Sequence, residues 1–144
     1  MKNLIFLLFP LIFCGINKLN AQESLRAFQK REFLDGSGNR MPYRILLPID
    51  YDCSKKYPLL IFLHGSGERG NDNEAQLKHG STLFLQEETR KNFQAIVVFP
   101  QCPSGESWSN MEWDSTGKWD FPFTQEPNKQ MKLLSGLLSE LKVN

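Results

Sequence analysis

The sequence predicts an α/β domain with an antiparallel start and a parallel continuation. Two continuous apolar runs, residues 59–63 and 95–99, have the composition of strands that are buried on both faces of a sheet. About thirty residues separate them, which is long enough for a helical crossover between parallel strands. Two shorter strand-like segments precede them, and this order of elements is typical of the α/β class.

The first predicted element is a β-hairpin. Residues 31–34 and 43–47 have strand-like composition. The segment 35–39 between them is rich in Asp, Gly, Ser and Asn, which are the residues that form tight turns. Residues 48–56 are predicted to be a loop that leads to the first apolar run.

Two helices are also predicted. The first lies between the apolar runs, where Leu83, Leu85 and residues 86–91 supply a short helical segment. The second covers residues 128–142, because its apolar residues recur at helical spacing; they are Met131, Leu134, Leu137, Leu138 and Leu141. No strand follows this helix in the sequence, so we expect an incomplete sheet, the front portion of a larger domain.

The size and composition of the chain are those of one globular domain. It has 144 residues, of which 40% are hydrophobic and 23% are charged. The net charge of +1 gives no basis for expecting a nucleic-acid partner.

The amino terminus has the pattern of an export signal. Lys2 precedes an apolar run at residues 4–16, and a polar stretch ends at Ala21, a small residue suited to cleavage. The apolar run is shorter than the roughly 20 residues that a membrane-spanning helix needs. We therefore expect residues 1–21 to be a signal peptide. Residues 22–144 would be the exported domain, periplasmic or secreted, without a stable membrane anchor after cleavage.

Removal of that signal leaves two cysteines, Cys53 and Cys102. Disulfides persist outside the cytoplasm, so these two could pair. Two free thiols are an equally good interpretation. No histidine lies near them in a zinc-ligand pattern, and we expect neither a metal site nor a cofactor.

Three glycines follow the first apolar run. Gly65, Gly67 and Gly70 have the G-x-G-x-x-G spacing of a dinucleotide-binding loop. Such a loop should lead into a helix packed on the sheet, and an acidic residue should end the next strand. Here the polar residues 71–74 follow, and the next strand ends at Pro100 without an acid. A phosphate-binding P-loop would need Lys and then Ser or Thr after the last glycine. The pattern therefore does not indicate a nucleotide cofactor.

The same glycines suit a different role. At the carboxyl end of a buried parallel strand, small residues leave backbone N–H groups accessible in the crevice where such sheets bind ligands. Two such groups make an oxyanion hole, which stabilises the negative charge that develops on a carbonyl oxygen during acyl transfer. The segment His-Gly-Ser-Gly at residues 64–67 occupies this position.

Two segments together resemble the α/β-hydrolase superfamily. Residues 57–70, YPLLIFLHGSGERG, are similar to its third strand and oxyanion loop. Residues 97–103, VVFPQCP, followed by Trp108, are similar to the segment after its fourth strand. The resemblance is greatest to the exported esterases and predicted peptidases of the feruloyl-esterase-like and polyhydroxybutyrate-depolymerase-like group. It extends from about Pro42 to the carboxyl terminus.

The resemblance implies a role for each matching residue. The backbone N–H of Ser66 would be an oxyanion donor, with that of Gly67 as the alternative. Trp108 and Gln101 would contact the substrate. Four residues would be structural at the site: His64, Gly65, Glu68 and Arg69. Glu68 and Arg69 could pair and brace the loop.

A loop rich in aromatic residues is predicted over residues 103–127. In the superfamily this region borders the active-site crevice, so its aromatic side chains could line an acyl or aryl pocket. They could equally pack over the sheet edge as a small second core. These residues are Trp108, Trp113, Trp119, Phe121 and Phe123.

The catalytic triad of the superfamily has no counterpart in the sequence. The nucleophilic serine should lie in a G-x-S-x-G elbow, and no two glycines of this chain are four positions apart. Ser66 lies near His64, but its flanking residues have the pattern of the oxyanion loop.

The sequence therefore predicts a fragment of an exported serine hydrolase that acts on carboxylic esters and is inactive alone. When completed, it would take a small-molecule or polymer ester as substrate. Three alternatives stay open. They are a fragment of a prolyl-oligopeptidase-like peptidase, a non-catalytic module that binds carbohydrate or peptide through the aromatic loop, and a product that does not fold stably.

Overall fold

A four-stranded mixed sheet forms the centre of the protein. The structure is a computed structural model that describes residues 25–120 and 126–143. The strands are β1 (Gln29–Leu34), β2 (Arg40–Leu46), β3 (Leu59–Ile61) and β4 (Ile96–Pro100), in the sheet order β1-β2-β4-β3. β2 is antiparallel to both of its neighbours, and β3 is parallel to β4. The predicted α/β class, with its antiparallel start and parallel continuation, is confirmed.

β1 and β2 form the predicted hairpin. The Asp35 carboxylate accepts hydrogen bonds from the backbone N–H groups of Ser37 and Asn39, at 2.9 and 2.8 Å. Gly38 supplies the positive φ of 80° that the turn requires. Because these bonds are local, the turn sets the register of the two strands.

The crossover from β3 to β4 contains two short helices where the sequence predicts one. They are α1 (Ser81–Leu85) and α2 (Glu87–Asn92). Gln86 separates them, because its backbone is extended (φ −61°, ψ 132°) and cannot continue a helix. The expectation of a single helical segment across residue 86 is therefore wrong.

The last helix, α3 (Lys129–Val143), lies within one residue of its predicted bounds. The side-chain oxygen of Asn128 accepts a hydrogen bond from the Met131 N–H at 2.9 Å, which caps the first turn. Further along the helix, a Cβ at Gly136 would lie 2.7 Å from the ring of Phe33. Glycine at this position lets the helix rest directly on the hairpin.

Both faces of the sheet are covered by apolar cores. The first core lies under α3 and contains Phe33, Met41, Tyr43, Ile45, Val98, Leu133, Leu134 and Leu137. The second core lies on the opposite face, with α1 beside it, and contains Phe28, Leu46, Leu77, Ala95, Val97 and Phe99. β4 contributes alternate residues to the two cores, as the alternation of side chains along a strand requires. The sheet is thus enclosed from both sides, as in other α/β proteins.

β3 differs from its prediction. The apolar run predicts a strand buried on both faces over residues 59–63, but the strand covers Leu59–Ile61 and lies at one edge of the described sheet. Its residues are half-buried and Leu63 is exposed. Full burial would need cover beyond the outer edge of β3, which the described elements do not supply.

The segment predicted as a continuous loop contains a small ribbon, β5 (Glu112–Trp113) and β6 (Trp119–Asp120). The Asp114 carboxylate closes its turn by accepting the N–H groups of Thr116 and Lys118, both at 2.9 Å. Phe121 and Phe123 lie outside the described residues.

The predicted signal peptide, residues 1–21, also lies outside the described residues. Within the described ranges, none of the helices combines the length and the apolar character that crossing a bilayer requires.

Candidate functional site

The carboxyl ends of β3 and β4 lie side by side and bring the predicted site residues together. His64 and the glycine-rich loop follow β3, and Gln101 and Cys102 follow β4. Trp108 reaches the same place from the segment beyond β4. Cys53 is the exception, because it lies in the loop that precedes β3.

The ring of His64 joins the two strand ends. Its Nε2 accepts a hydrogen bond from the backbone N–H of Cys102 at 2.9 Å, and its Nδ1 lies 2.6 Å from the backbone oxygen of Gly65. Because Nε2 is an acceptor here, it carries no proton, and Nδ1 carries the proton and donates to Gly65. The residue is buried, with 6% of its surface exposed. Both ring nitrogens are engaged within the fold, which is the arrangement of a structural histidine rather than of a proton-transfer group.

Trp108 packs against this histidine. Its indole Nε1 donates to the backbone oxygen of His64 at 3.1 Å, and the two rings meet edge to face with centroids 5.3 Å apart. The Asn128 side chain, at the start of α3, donates to the backbone oxygen of Ser107 at 2.9 Å and holds this part of the loop. Trp108 is half-buried against the first core, so its contact with a substrate stays a prediction.

A single turn of 3₁₀ helix, Ser66–Glu68, follows His64. It is closed by a 3.3 Å hydrogen bond from the Glu68 N–H to the Gly65 oxygen. The first N–H groups of a helical turn have no partner inside it. In the described part of the chain, those of Ser66 and Gly67 donate to no acceptor. Both residues are exposed, and a side chain at Gly67 would project into open space. Two neighbouring donors are therefore available to a ligand.

Gln101 fastens the loop that continues from this turn. Its Oε1 accepts the N–H of Asn73 at 2.7 Å, and its Nε2 donates to Asp72 Oδ1 at 2.7 Å and lies 3.4 Å from the Glu68 oxygen. A Cβ at Gly70 would lie 3.1 Å from the same Nε2, so glycine allows this close approach. Gln101 is fully buried, and the predicted substrate contact would require one of these bonds to open.

Asp72 is the charged partner in this network. Besides Gln101, its carboxylate accepts the N–H groups of Glu74 and Ala75, at 2.9 and 3.1 Å. The hydrogen bond from Gln101, followed by those from the two backbone groups, lowers the pKa of Asp72, because each stabilises the ionised form.

A second anchor for the loop comes from β2. The Arg44 guanidinium donates through Nη1 to the Phe28 oxygen at 2.8 Å and through Nε to the Asn73 oxygen. Burial lowers the pKa of Arg44, and the nearby Glu74 and Asp72 partly oppose that effect. The loop is thus held from β2 and β4 together.

The expected pair between Glu68 and Arg69 is wrong. The Glu68 carboxylate lies 3.3 Å from His79 Nε2 and 4.0 Å from Lys78 Nζ. Consecutive residues of a helical turn point in different directions. Glu68 therefore turns inward, with a side chain that is 8% exposed, whereas Arg69 is half-buried and near enough to Cys102 to favour its thiolate.

Both cysteines are free, so the disulfide alternative is not adopted. Cys53 precedes β3 and Cys102 follows β4. Since these strands are parallel, Cys53 lies before their amino-terminal ends and Cys102 follows their carboxyl-terminal ends. Burial raises the pKa of Cys102 to about 11, although Arg69 favours the thiolate. Cys102 is therefore a neutral thiol at physiological pH and not a nucleophile.

Comparison with known proteins connects this geometry to hydrolases. No protein-family model matches the chain. Over 73 residues, which are 51% of this chain and 9% of the other, it is 34% identical to a probable dipeptidyl-peptidase 5 of Aspergillus niger. A thermostable esterase of known structure superposes with a TM-score of 0.66 and 30% identity, over 82% of this chain and 31% of that one.

A ferulic acid esterase of Anaeromyces mucronatus superposes less well, with a TM-score of 0.41 and 22% identity over 61% of this chain and 34% of that one. The chain thus spans about a third of the length of these esterases and 9% of the peptidase. The thermostable esterase and the peptidase support an α/β-hydrolase-like relationship. The segments that resemble the third and fourth strands of that superfamily are β3 and β4.

Sequence reasoning missed three residues that build the site: Asp72, Asn73 and His79. An Asp side chain often accepts a hydrogen bond from the backbone N–H two residues further on, as in an Asx turn, and the contact of Asp72 with Glu74 could have been recognised in this way. Nothing in the local pattern indicates that His79 meets Glu68. The sequence indicates only that His79 is a surface residue, and its side chain is indeed 65% exposed.

We predict that His64→Ala lowers the free energy of unfolding by about 1–3 kcal/mol, because it leaves the buried N–H of Cys102 without an acceptor. His64→Gln should recover part of the loss, since its amide oxygen can take the place of Nε2. Urea denaturation of the three proteins measures the difference. Equal destabilisation by the two substitutions would contradict the hydrogen-bond explanation.

Asp72 should make part of the stability dependent on pH. Its pKa is lowered in the folded protein, so its contribution is fully present above the ordinary value of 3.8 and is lost as the pH falls through the folded value. Asp72→Asn should therefore destabilise the protein at pH 7 and have a smaller effect at pH 3. Urea denaturation at the two pH values tests this, and an equal effect at both would refute it.

Proposed function

We propose that this chain contributes the oxyanion loop and part of the substrate crevice of an exported serine hydrolase that acts on carboxylic esters. The turn Ser66–Glu68 is the observation that supports it. At the carboxyl end of a parallel strand, the N–H groups of Ser66 and Gly67 have no acceptor in the described residues. A carbonyl oxygen placed against them would be stabilised as it gains negative charge.

The surroundings of the turn support this role, because they hold it in place before any ligand arrives. His64 binds the Gly65 oxygen from within the fold, and Gln101 and Arg44 hold the chain that follows. Donors that are already oriented stabilise a developing charge without having to reorganise.

The chain supplies no activated nucleophile from its described residues. The His64 ring is engaged at both nitrogens, and Cys102 is buried and protonated. A completed enzyme would need a serine from a further segment to attack the ester carbonyl. The tetrahedral oxyanion at the turn would collapse to an acyl-enzyme with loss of the alcohol, and water would then release the acid.

Export belongs to the same proposal. Residues 1–21 have the charge and apolar pattern of a signal peptide. The mature protein would then begin at Gln22, which amino-terminal sequencing of the exported product would show.

An oxyanion turn of this kind serves amides as well as esters, so the peptidase alternative shares the geometry. Sequence identity to the dipeptidyl-peptidase of Aspergillus niger covers half of this chain. We favour an ester substrate because the thermostable esterase superposes over 82% of the chain.

A non-catalytic binding module is the second candidate. Trp119 lies on the β5–β6 ribbon and is 55% exposed, and an exposed indole is a surface on which sugars and peptides bind. Titration calorimetry with oligosaccharides distinguishes this candidate. Oligosaccharide binding that is lost in Trp119→Ala would favour the binding module over the enzyme. This holds when the chain does not assemble with other segments into a hydrolase.

We expect the purified 144-residue chain to hydrolyse p-nitrophenyl esters no faster than buffer does, because residues 25–120 and 126–143 present no activated serine. Ser66→Ala should behave identically. Serine-dependent turnover that disappears in Ser66→Ala would show that Ser66 is a nucleophile and would overturn the assignment of this turn.

The oxyanion role is tested in the complete enzyme, if the reading frame beyond residue 144 encodes a G-x-S-x-G elbow. Ser66→Pro removes one N–H donor. Proline is tolerated at the first helical position, and Gly65 already has the extended backbone (φ −78°, ψ −177°) that precedes proline. Loss of the donor should lower kcat by about 10²–10³-fold, whereas Ser66→Ala should retain kcat. Equal kcat values for the two variants would refute the donor role.

A further inference from the structure

We propose that Glu68 and His79 form a positioning pair for the turn Ser66–Glu68, and that protonation of His79 tightens this pair. Their importance for hydrolysis rests on the proposed function of the turn. Their effect on its geometry can be measured without any catalytic activity.

Glu68 links the beginning of the turn to a more distant part of the chain. Its Oε2 packs under the turn, at 3.3 Å from where a Cβ on Gly65 would lie. Its Oε1 lies 3.3 Å from His79 Nε2. A single carboxylate therefore spans from Gly65 to the residues just before α1, where its Oε1 lies within ion-pair distance of His79.

The location of this carboxylate is electrostatically unfavourable unless a cation lies near it. A buried carboxylate is unfavourable unless it is paired, and Glu68 is 6% exposed. It also lies within two residues of the N–H groups of Ser66 and Gly67, where its negative charge opposes a second negative charge. A cation on the far side of Glu68 reduces both costs.

Four polar groups face or adjoin Glu68, and one of them is a histidine within hydrogen-bond distance of its carboxylate. Lys78 Nζ is 4.0 Å away, beyond hydrogen-bond distance. Arg69 adjoins it in sequence but forms no ion pair with it among the described residues, and the Gln101 amide is neutral and lies 3.4 Å from the Glu68 backbone oxygen. His79 is the remaining partner, and histidine ordinarily gains its proton between about pH 5 and 8.

His64 is the other histidine of the chain, and it also contacts the turn through the Gly65 oxygen. A pH-dependent change in the turn could therefore come from either ring. Because His79 is exposed and His64 is buried, His79→Gln removes one source without disturbing the core. The two contributions can be separated by this one substitution.

The test is two-dimensional NMR of the ¹⁵N-labelled 144-residue chain between pH 5 and 8. The amide signals of Ser66 and Gly67 should move with pH in the unmodified protein. This movement should be lost in His79→Gln and kept in Lys78→Gln, a matched control from the neighbouring exposed residue. A thermal melt of His79→Gln should match that of the unmodified protein closely enough to show an intact fold.

Hydrogen exchange provides the second measurement. The amide of Glu68 donates to Gly65 and closes the turn. In Glu68→Gln, which keeps the size but removes the charge, this amide should exchange at least about tenfold faster than in the unmodified protein, while the Phe62 amide in the sheet ladder should be unaffected.

Two results would overturn the proposal. One is an unchanged titration of Ser66 and Gly67 in His79→Gln, which would assign the effect to His64. The other is an unchanged exchange rate at position 68 in Glu68→Gln. Neither depends on catalysis, so full kcat in Ser66→Pro would refute the oxyanion role while leaving the positioning pair intact.

Discussion

The hydrogen bond from the Cys102 N–H to His64 Nε2 is the interaction on which the site depends. β3 and β4 remain paired through their backbones only as far as the bond between Phe62 and Val98. Beyond that point the segments that follow β3 and β4 diverge into loops, and the imidazole ring of His64 spans the gap between them. As an acceptor at Nε2, the ring keeps its proton on Nδ1, where it holds the Gly65 oxygen. The His64 side chain thus connects the ends of β3 and β4 and also holds Gly65, the residue just before the turn.

The loop beyond the turn is also held by hydrogen bonds from buried polar side chains. Gln101 engages both ends of its amide with the loop, and Arg44 reaches the loop from β2. Buried polar groups are costly unless they are bonded, and a satisfied network holds its members in one arrangement. Against this background the N–H groups of Ser66 and Gly67 stand out, because nothing in the described residues accepts their hydrogen bonds. Rigid surroundings and two available donors together suit the stabilisation of an anion.

The carboxylate of Glu68 adds an electrostatic constraint to that picture. The proposed anion site already has a carboxylate next to it, which is buried against the turn. The neighbouring basic side chains, His79 and Lys78, lie on its outer side. A charge pattern of this kind couples the shape of the turn to protonation, because the attraction that holds the carboxylate varies with the charge of its partner.

Local patterns in the sequence determined most of the fold. The turn residues at 35–39 predict the hairpin, the apolar run at 95–99 predicts β4, and the helical spacing of leucines predicts α3. In each case the interactions responsible lie within a few residues of one another, so periodicity and turn chemistry are sufficient to identify them. The resemblance of residues 57–70 to an oxyanion loop likewise depends on adjacent residues, and the loop it indicates follows β3.

Only the tertiary structure decided which side chains meet. His64 and Cys102 are 38 residues apart, and Gln101 and Asp72 are 29 apart. Sequence reasoning instead paired Glu68 with its neighbour Arg69. It also left open a disulfide between Cys53 and Cys102, which the parallel arrangement of β3 and β4 places toward opposite ends of the strands. Adjacency along the chain does not determine the direction of a side chain in a turn, and strand order is a property of the whole sheet. The sequence by itself therefore determined the hairpin, β4, the last helix and the position of the glycine loop after β3, whereas packing decided the tautomer of His64, the partner of Glu68 and the exposure of β3.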